Sequence, residues 1–188
     1  MAVLFARSGS IYHSFPGVDV FDLARNALNF AGGLPVVSHP PCRLWGRFSQ
    51  FSTAPESEKS LAHFAVAAVR QNGGVLEHPS YSKLWNAAGL PRPGRFDEFG
   101  GFTVSMPQFW FGHRASKCSW FYVCGVRPGD LPQVPFVLGE ATHAIASARA
   151  GVATRKPQVT KYERDATPPL LAEWLLAVAR KCEMGVMA

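Results

Sequence analysis

The chain has 188 residues, 47% of them hydrophobic and 17% charged, and a formal net charge of +6. That length suits a single domain with a core large enough to need neither disulfides nor a structural metal. No stretch approaches the apolar run of roughly 20 residues that a membrane helix requires, so no membrane partner is expected.

The four cysteines, Cys42, Cys118, Cys124 and Cys182, are scattered without a CxxC pair. With no basic leader ahead of Val3-Leu4-Phe5, this usage points to reduced thiols and a cytoplasmic protein. The basic excess is spread over Arg92, Arg95, Arg114, Lys117, Arg149, Arg155, Lys156, Lys161 and Arg164. Such a balance suits a polyanionic partner such as nucleic acid.

In chain order, Ala2 to Phe5 reads as a first buried strand. After Ser8-Gly9-Ser10 and the Pro16-Gly17 turn, Val18 to Asp22 alternates apolar and acidic residues and reads as a second strand ending in a carboxylate. Leu23 to Phe30 is a helix candidate stopped by Gly32-Gly33. A β-branched run then meets Pro40-Pro41, where a sheet cannot continue, with Cys42 at the mouth of the turn and His39 three residues before it. Thr53-Ala54-Pro55-Glu56 has the spacing of a capping box, and Leu61, Phe64, Ala65, Ala68 and Val69 follow at helical spacing up to Gly73-Gly74. Val75 to Pro79 is a further short strand, ending in Glu77-His78. Strand, helix and strand at this spacing form a βαβ unit, so Cys42 and Glu77 are expected at neighbouring strand ends. A brief helix (80–88), two strands (102–111 and 119–126) around a basic turn, and a Pro/Gly/Ala-rich segment (127–163) follow. Thr167-Pro168-Pro169 opens a last helix within 164–182. The expected architecture is one α/β domain over residues 1–188, with 127–163 as a loop-rich insert.

The strand-end signals occur in a fixed order: Pro-Pro-Cys, Glu-His-Pro, Phe-Gly-His-Arg-Ala-Ser-Lys before a strand ending Val-Cys-Gly-Val, and Ala-Thr-Pro-Pro-Leu-Leu-Ala. This order resembles the DNA (cytosine-5) methyltransferases, in particular small homologues associated with bacteriophages. Those enzymes carry a Pro-Cys loop, a Glu-Asn-Val strand end, a Gln-x-Arg-x-Arg stretch and a Gly-Asn-Ala-Val-Pro-Pro helix start. The resemblance implies a Rossmann-like methyltransferase-type sheet with flanking helices. It implies S-adenosylmethionine as methyl donor and DNA or a nucleotide as substrate, in the host cytoplasm if the protein is phage-encoded. In that reading Cys42 is the nucleophile that adds to cytosine C6, its pKa lowered by Arg43 or a histidine. Glu77 holds the N3 edge of the base. Arg43, His78, His113, Arg114 and Lys117 are the substrate-binding candidates. Ser8, Gly9, Asp19 and Asp22 are the donor-binding candidates.

Three differences from the family pattern stand out. The glycine-rich donor loop is reduced to Phe5-Ala6-Arg7-Ser8-Gly9-Ser10. Arg43 and His78 replace a glutamine and an asparagine, and only Lys117 remains of the two arginines. Two further readings stay open on the residues. One is an inactive homologue that binds nucleic acid or a partner protein. The other is a different base-modifying or metal-dependent enzyme, with His39, Cys42 and His78 as three ligands of a zinc or iron site.

Overall fold

The computed structural model describes residues 1–145 and 156–185, so Arg149 and Arg155 lie outside the described residues. Six strands form one mixed sheet: β1 (Ala2–Leu4), β2 (Asp19–Phe21), β3 (Val36–Ser38), β4 (Gly74–Pro79), β5 (Phe102–Pro107) and β6 (Cys118–Cys124). Their order is β2-β1-β3-β4-β6-β5. The first four are parallel, and β6 runs antiparallel to both its neighbours.

The strands are short and apolar on both faces because helices cover both faces. Helix α1 (Lys59–Asn72) sets Ala65, Val66 and Val69 against Ala2, Leu4, Val36 and Leu76. Helix α4 (Pro169–Gly185) sets Leu171, Trp174, Leu175 and Val178 against Val3, Val37, Val75 and Phe121 on the other side. No helix among the described residues is long and apolar enough to cross a membrane.

This arrangement fixes where side chains meet. The parallel strands β1, β3 and β4 all deliver their following loops to one edge of the sheet. The antiparallel register Pro79↔Ser119 brings the start of β6 to that same edge. Residues following β1, β3 and β4 therefore face residues just preceding β6.

Several expected elements are shorter in the structure. The 23–30 helix is reduced to a 3-10 turn, Ala27–Asn29. The Asp22 carboxylate takes the backbone N–H groups of Ala24 and Arg25, and Asn26, at φ 53, caps Leu28. Such local side-chain bonds compete with helix formation. The capping box does not form, because the first turn starts at Glu56 rather than after Thr53 and so puts Pro55, which has no side-chain oxygen, in the cap position. A 3-10 turn, Glu56–Glu58, instead precedes α1 without a side-chain cap. The 80–88 helix is a single turn, α2 (Leu84–Ala87), whose Leu84 N–H donates to Ser82 Oγ. The strand expected over 102–111 stops at Pro107 and gives way to a 3-10 turn, Gln108–Phe111. The one expected to end at Val126 stops at Cys124, before Gly125 at φ 87. The helix expected within 164–182 is split: α3 (Lys161–Asp165) ends before Ala166, and α4 begins at Pro169.

Gly74 shows how tightly β3 and β4 are joined. At φ 127 it lies where a Cβ would come within 1.9 Å of the Val36 carbonyl oxygen. Gly74→Ala is therefore expected to destabilise the fold by about 2–4 kcal/mol, through both backbone strain and a backbone clash. The check is the urea midpoint; an unchanged midpoint would show that the β3–β4 contact is looser than described.

Candidate functional site

At the shared edge lies a cavity of about 700 Å³, lined by the loop after β1, the Pro40–Cys42 turn, the end of β4, Lys117-Cys118 and the 162–169 segment. Crevices beyond the carboxyl ends of parallel strands are where α/β sheets take ligands. Phe5, at φ 59, turns the chain out of β1 at the rim, and Lys117, at φ 40, does the same ahead of β6. Non-glycine residues in the left-handed region are uncommon, and both of these line the cavity.

Glu77 is the centre of this site. Its position in β4 pairs it with Phe121 and turns it to the α4 side of the sheet. One oxygen accepts hydrogen bonds from Ser119 Oγ and from Gln108 Nε2 at 3.1 Å; the other faces His39 Nδ1 at 3.4 Å. Burial pushes this carboxyl up, but the His39 bond, the Lys117 and His39 charges and the Ser119 hydroxyl outweigh burial and hold it at about 2. Glu77 is thus an ionised, buried carboxylate. Among the described residues its partners include no arginine.

His39 continues the chain of contacts. Its Nε2 lies 2.9 Å from the hydroxyl of Tyr12, and the two rings pack with centroids 5.6 Å apart. Tyr12 is fully buried, and burial with the nearby Glu77 charge pushes its hydroxyl well above the ordinary range. Tyr12–His39–Glu77 is therefore a continuous polar line through three elements, all of it on the cavity wall.

Cys42 is exposed and lines the cavity mouth. Protein around it withdraws water and raises its pKa, the Glu77 charge raises it further, and Lys117 pulls it down. This corrects the expectation of a thiol whose pKa is lowered by Arg43 or a histidine: the net shift is upward and neither contributes to it. The Arg43 guanidinium turns away onto Glu58, with Nε 2.7 Å from one carboxylate oxygen. Lys117 is the cation that acts on Cys42. Its own pKa is lowered by burial, and its Nζ donates to the Ala166 carbonyl at 3.3 Å.

The other candidates divide clearly. His78 borders the cavity but stands on the opposite face of β4 from Glu77, edge-on to Trp85. Burial holds it neutral at about 4, against the pull of the Glu77 charge and the nearby Pro41 backbone. Neither of its ring nitrogens has a hydrogen-bond partner of good geometry among the described residues. His113 is a structural histidine, bonding the Ala115 backbone and the Glu163 carbonyl. Arg114 is bound to Glu163 and to His143, away from the cavity. Of the proposed substrate-binding cations, Lys117 alone reaches the cavity wall.

On the donor side, Gly9 lines the cavity while Ser8 is exposed outside it. Asp19 is paired with Arg25, and Asp22 faces His13 at 3.6 Å. Neither acid belongs to the wall, because β2 is the edge strand and β1 lies between it and the cavity centre. The three-ligand alternative is also corrected. Among the described residues no group of three His, Cys, Asp or Glu side chains is placed to hold a metal ion. His39 is taken up by Tyr12 and Glu77, and His78 points to the other face of the sheet.

Tyr12, Gln108, Ser119 and Tyr162 are site residues that sequence reasoning missed. Tyr162 stacks under the Arg7 guanidinium, 4.0 Å from ring centre to carbon, and this pair joins the β1 loop to α3 across the cavity rim. The signal for Tyr12 is faint: an aromatic one turn after Ser8-Gly9-Ser10. Comparison with protein-family models, with curated proteins and with solved structures found no match to the chain.

Proposed function

We propose that this chain is a compact cytosine-5 methyltransferase-like enzyme that modifies a pyrimidine base in DNA through Cys42. The observation that carries the reading is the convergence of Cys42, Glu77 and Lys117 on one cavity, which also touches the β1 loop and the start of α4. The strand order supports it as well. The parallel strands β1, β3 and β4 send their following loops to that cavity, at the sheet end where α/β folds take ligands.

Cytosine C5 becomes nucleophilic only after a thiolate has added to C6. Lys117 lowers the cost of the Cys42 thiolate, and Glu77 fixes the ring edge that bears N3 and the amino group. The open mouth suits a base swung out of a strand. S-adenosylmethionine, when bound, supplies an electrophilic methyl group for C5. The Phe5–Tyr12 loop, Tyr162 and Thr167 would hold it. Gly9, at φ 70 with open space where a Cβ would stand, leaves backbone accessible to it. The test is a DNA oligonucleotide carrying 5-fluorocytosine, incubated with S-adenosylmethionine and resolved by mass spectrometry. Fluorine cannot leave as a proton does, so a working enzyme stays covalently attached through Cys42. No adduct means that the reading is wrong.

A second reading rests on Asp19 and Asp22, which are taken up outside the cavity. In it the chain binds nucleic acid or a partner protein on the same fold without methyl transfer. Calorimetric titration with S-adenosylhomocysteine separates the two. The enzyme reading expects binding on the order of micromolar, about −8 kcal/mol, weakened by Gly9→Val. Absence of binding at millimolar ligand selects the inactive reading.

A further inference from the structure

The hydrogen bonds around Glu77 leave a chemical gap in that mechanism. When a thiolate adds to C6 of cytosine, negative charge develops on N3, and N3 needs a proton. The hydrogen-bonding neighbours of Glu77 among the described residues all present a donor to it: Ser119 Oγ, Gln108 Nε2 and His39 Nδ1. A carboxylate in such company is an acceptor with no proton of its own to give.

His39 is the neighbour that can fill the gap. A serine hydroxyl and a glutamine amide carry no spare proton, and Lys117 acts on Glu77 through its charge while its Nζ donates to the Ala166 carbonyl, with no hydrogen bond to Glu77 over which a proton could pass. An imidazolium carries two N–H groups pointing in different directions, and His39 has an oxygen partner on each side, Glu77 at 3.4 Å and Tyr12 at 2.9 Å. Tyr12 is rigidly held: it is fully buried and belongs to the α4-side core.

Building on the cytosine-methylating reading, we infer that Tyr12 and His39 form a proton reserve for Glu77, from which the proton needed at cytosine N3 is drawn. In the proton-loaded state the pair is imidazolium and carboxylate. Nδ1–H of His39 is donated to Glu77, and Nε2–H to the Tyr12 oxygen. The Cys42 thiol first releases its proton to water at the open mouth. Its sulfur electron pair then forms the S–C6 bond, the C5=C6 pair shifts to C5–C4, and the C4=N3 pair comes to rest on N3. The Nδ1 proton passes to the Glu77 oxygen that faces His39 and from that oxygen on to N3, so that Glu77 ends as the carboxylate it began as and His39 is left neutral with Nε2–H still held by Tyr12. Tyr12 thus decides which nitrogen gives up the proton. Both residues act through Glu77 and are positioning residues. The charged groups that face this line are Lys117 from the turn before β6, Cys42 from the loop after β3, and Asp165 at the end of α3, which acts on Lys117 and Cys42.

The test is the single-turnover rate of methyl transfer to a cytosine-containing oligonucleotide, measured from about pH 6 to 9. A histidine ordinarily loses its proton below a thiol. A reaction that needs both a thiolate and a loaded proton donor draws on two groups that respond oppositely to pH, so the wild-type rate is expected to be flat over part of this range. His39→Asn keeps an N–H toward Glu77 but holds no exchangeable reserve. Its rate is expected to fall about 10–100-fold near neutral pH and to climb about tenfold per pH unit where the wild type is flat. Tyr12→Phe, which removes only a hydroxyl, is expected to keep the flat profile at a rate reduced about tenfold. A His39→Asn profile parallel to the wild type overturns the inference while leaving methylation intact. Absence of the 5-fluorocytosine adduct in the wild type overturns the reading on which it rests, and the inference with it.

Discussion

Cys42→Ser is expected to abolish adduct formation with 5-fluorocytosine DNA and to lower methyl transfer by about three orders of magnitude or more. A hydroxyl in the same place is a far weaker nucleophile. Among the described residues no strong base is placed to deprotonate it, since Glu77, held at about 2 with both oxygens already in contact with donors, is a weak base and Lys117 is a cation facing an acid. Because Cys42 is exposed and buries no apolar side chain, the same variant should leave stability within about 0.5 kcal/mol of the wild type. Loss of activity with an unchanged melting curve therefore isolates chemistry from folding. Methyl transfer that persists in Cys42→Ser would rule this thiol out as the attacking group, whatever the fold. The raised resting pKa of Cys42 adds a second expectation for the same protein. Alkylation by iodoacetamide should be slow at neutral pH and speed up with alkalinity, because the protein packed around the exposed thiol draws off part of its water and the Glu77 charge adds to this, both opposing the thiolate.

What the sequence disclosed and what it concealed follow from the range of the interactions involved. The βαβ core was legible because its signals are local. The apolar runs ending at Pro40-Pro41 and Pro79, with the helical spacing of Leu61 to Val69 between them, fix β3, α1 and β4, and with them the adjacency of Cys42 and Glu77. Helix 23–30 failed for an equally local reason that periodicity does not register, the capture of backbone N–H groups by Asp22 and Asn26. The cations were misjudged for a different reason. Arg43 and Arg114 follow strand ends just as Lys117 precedes one, but each finds a surface acid brought in by the fold, Glu58 and Glu163, and turns outward. Lys117 has the Ala166 carbonyl rather than an acid as its bonded partner, and stays at the cavity. The Tyr12–His39 pair was out of reach because it depends on β1 and β3 being neighbours while β2 lies outside β1. No local pattern states that order.

Glu77→Gln is expected to reduce methyl transfer by about 10²–10³-fold, and to change stability with a distinctive dependence on pH. The Glu77 pKa is depressed in the folded protein, to about 2 from an ordinary value of 4.5. A carboxylate so shifted stabilises the fold fully above its unfolded pKa, and the contribution is lost as pH falls through the folded one. The shift corresponds to about 3 kcal/mol at neutral pH, so Glu77→Gln should be destabilised by that order near pH 7. The gap should close between about pH 4.5 and 2, where the wild type takes up the proton that the amide never lacked. The amide also meets the Gln108 and Ser119 donors with a donor of its own, which adds a component that does not vary with pH. Urea denaturation of both proteins across this range separates the two contributions. A constant difference at all pH values would mean that Glu77 is not held as a buried anion, and the proton-supply problem that His39 solves would disappear. A difference that vanishes in acid, together with the loss of transfer at neutral pH, would identify the same negative charge as the group that steadies the fold and grips the base.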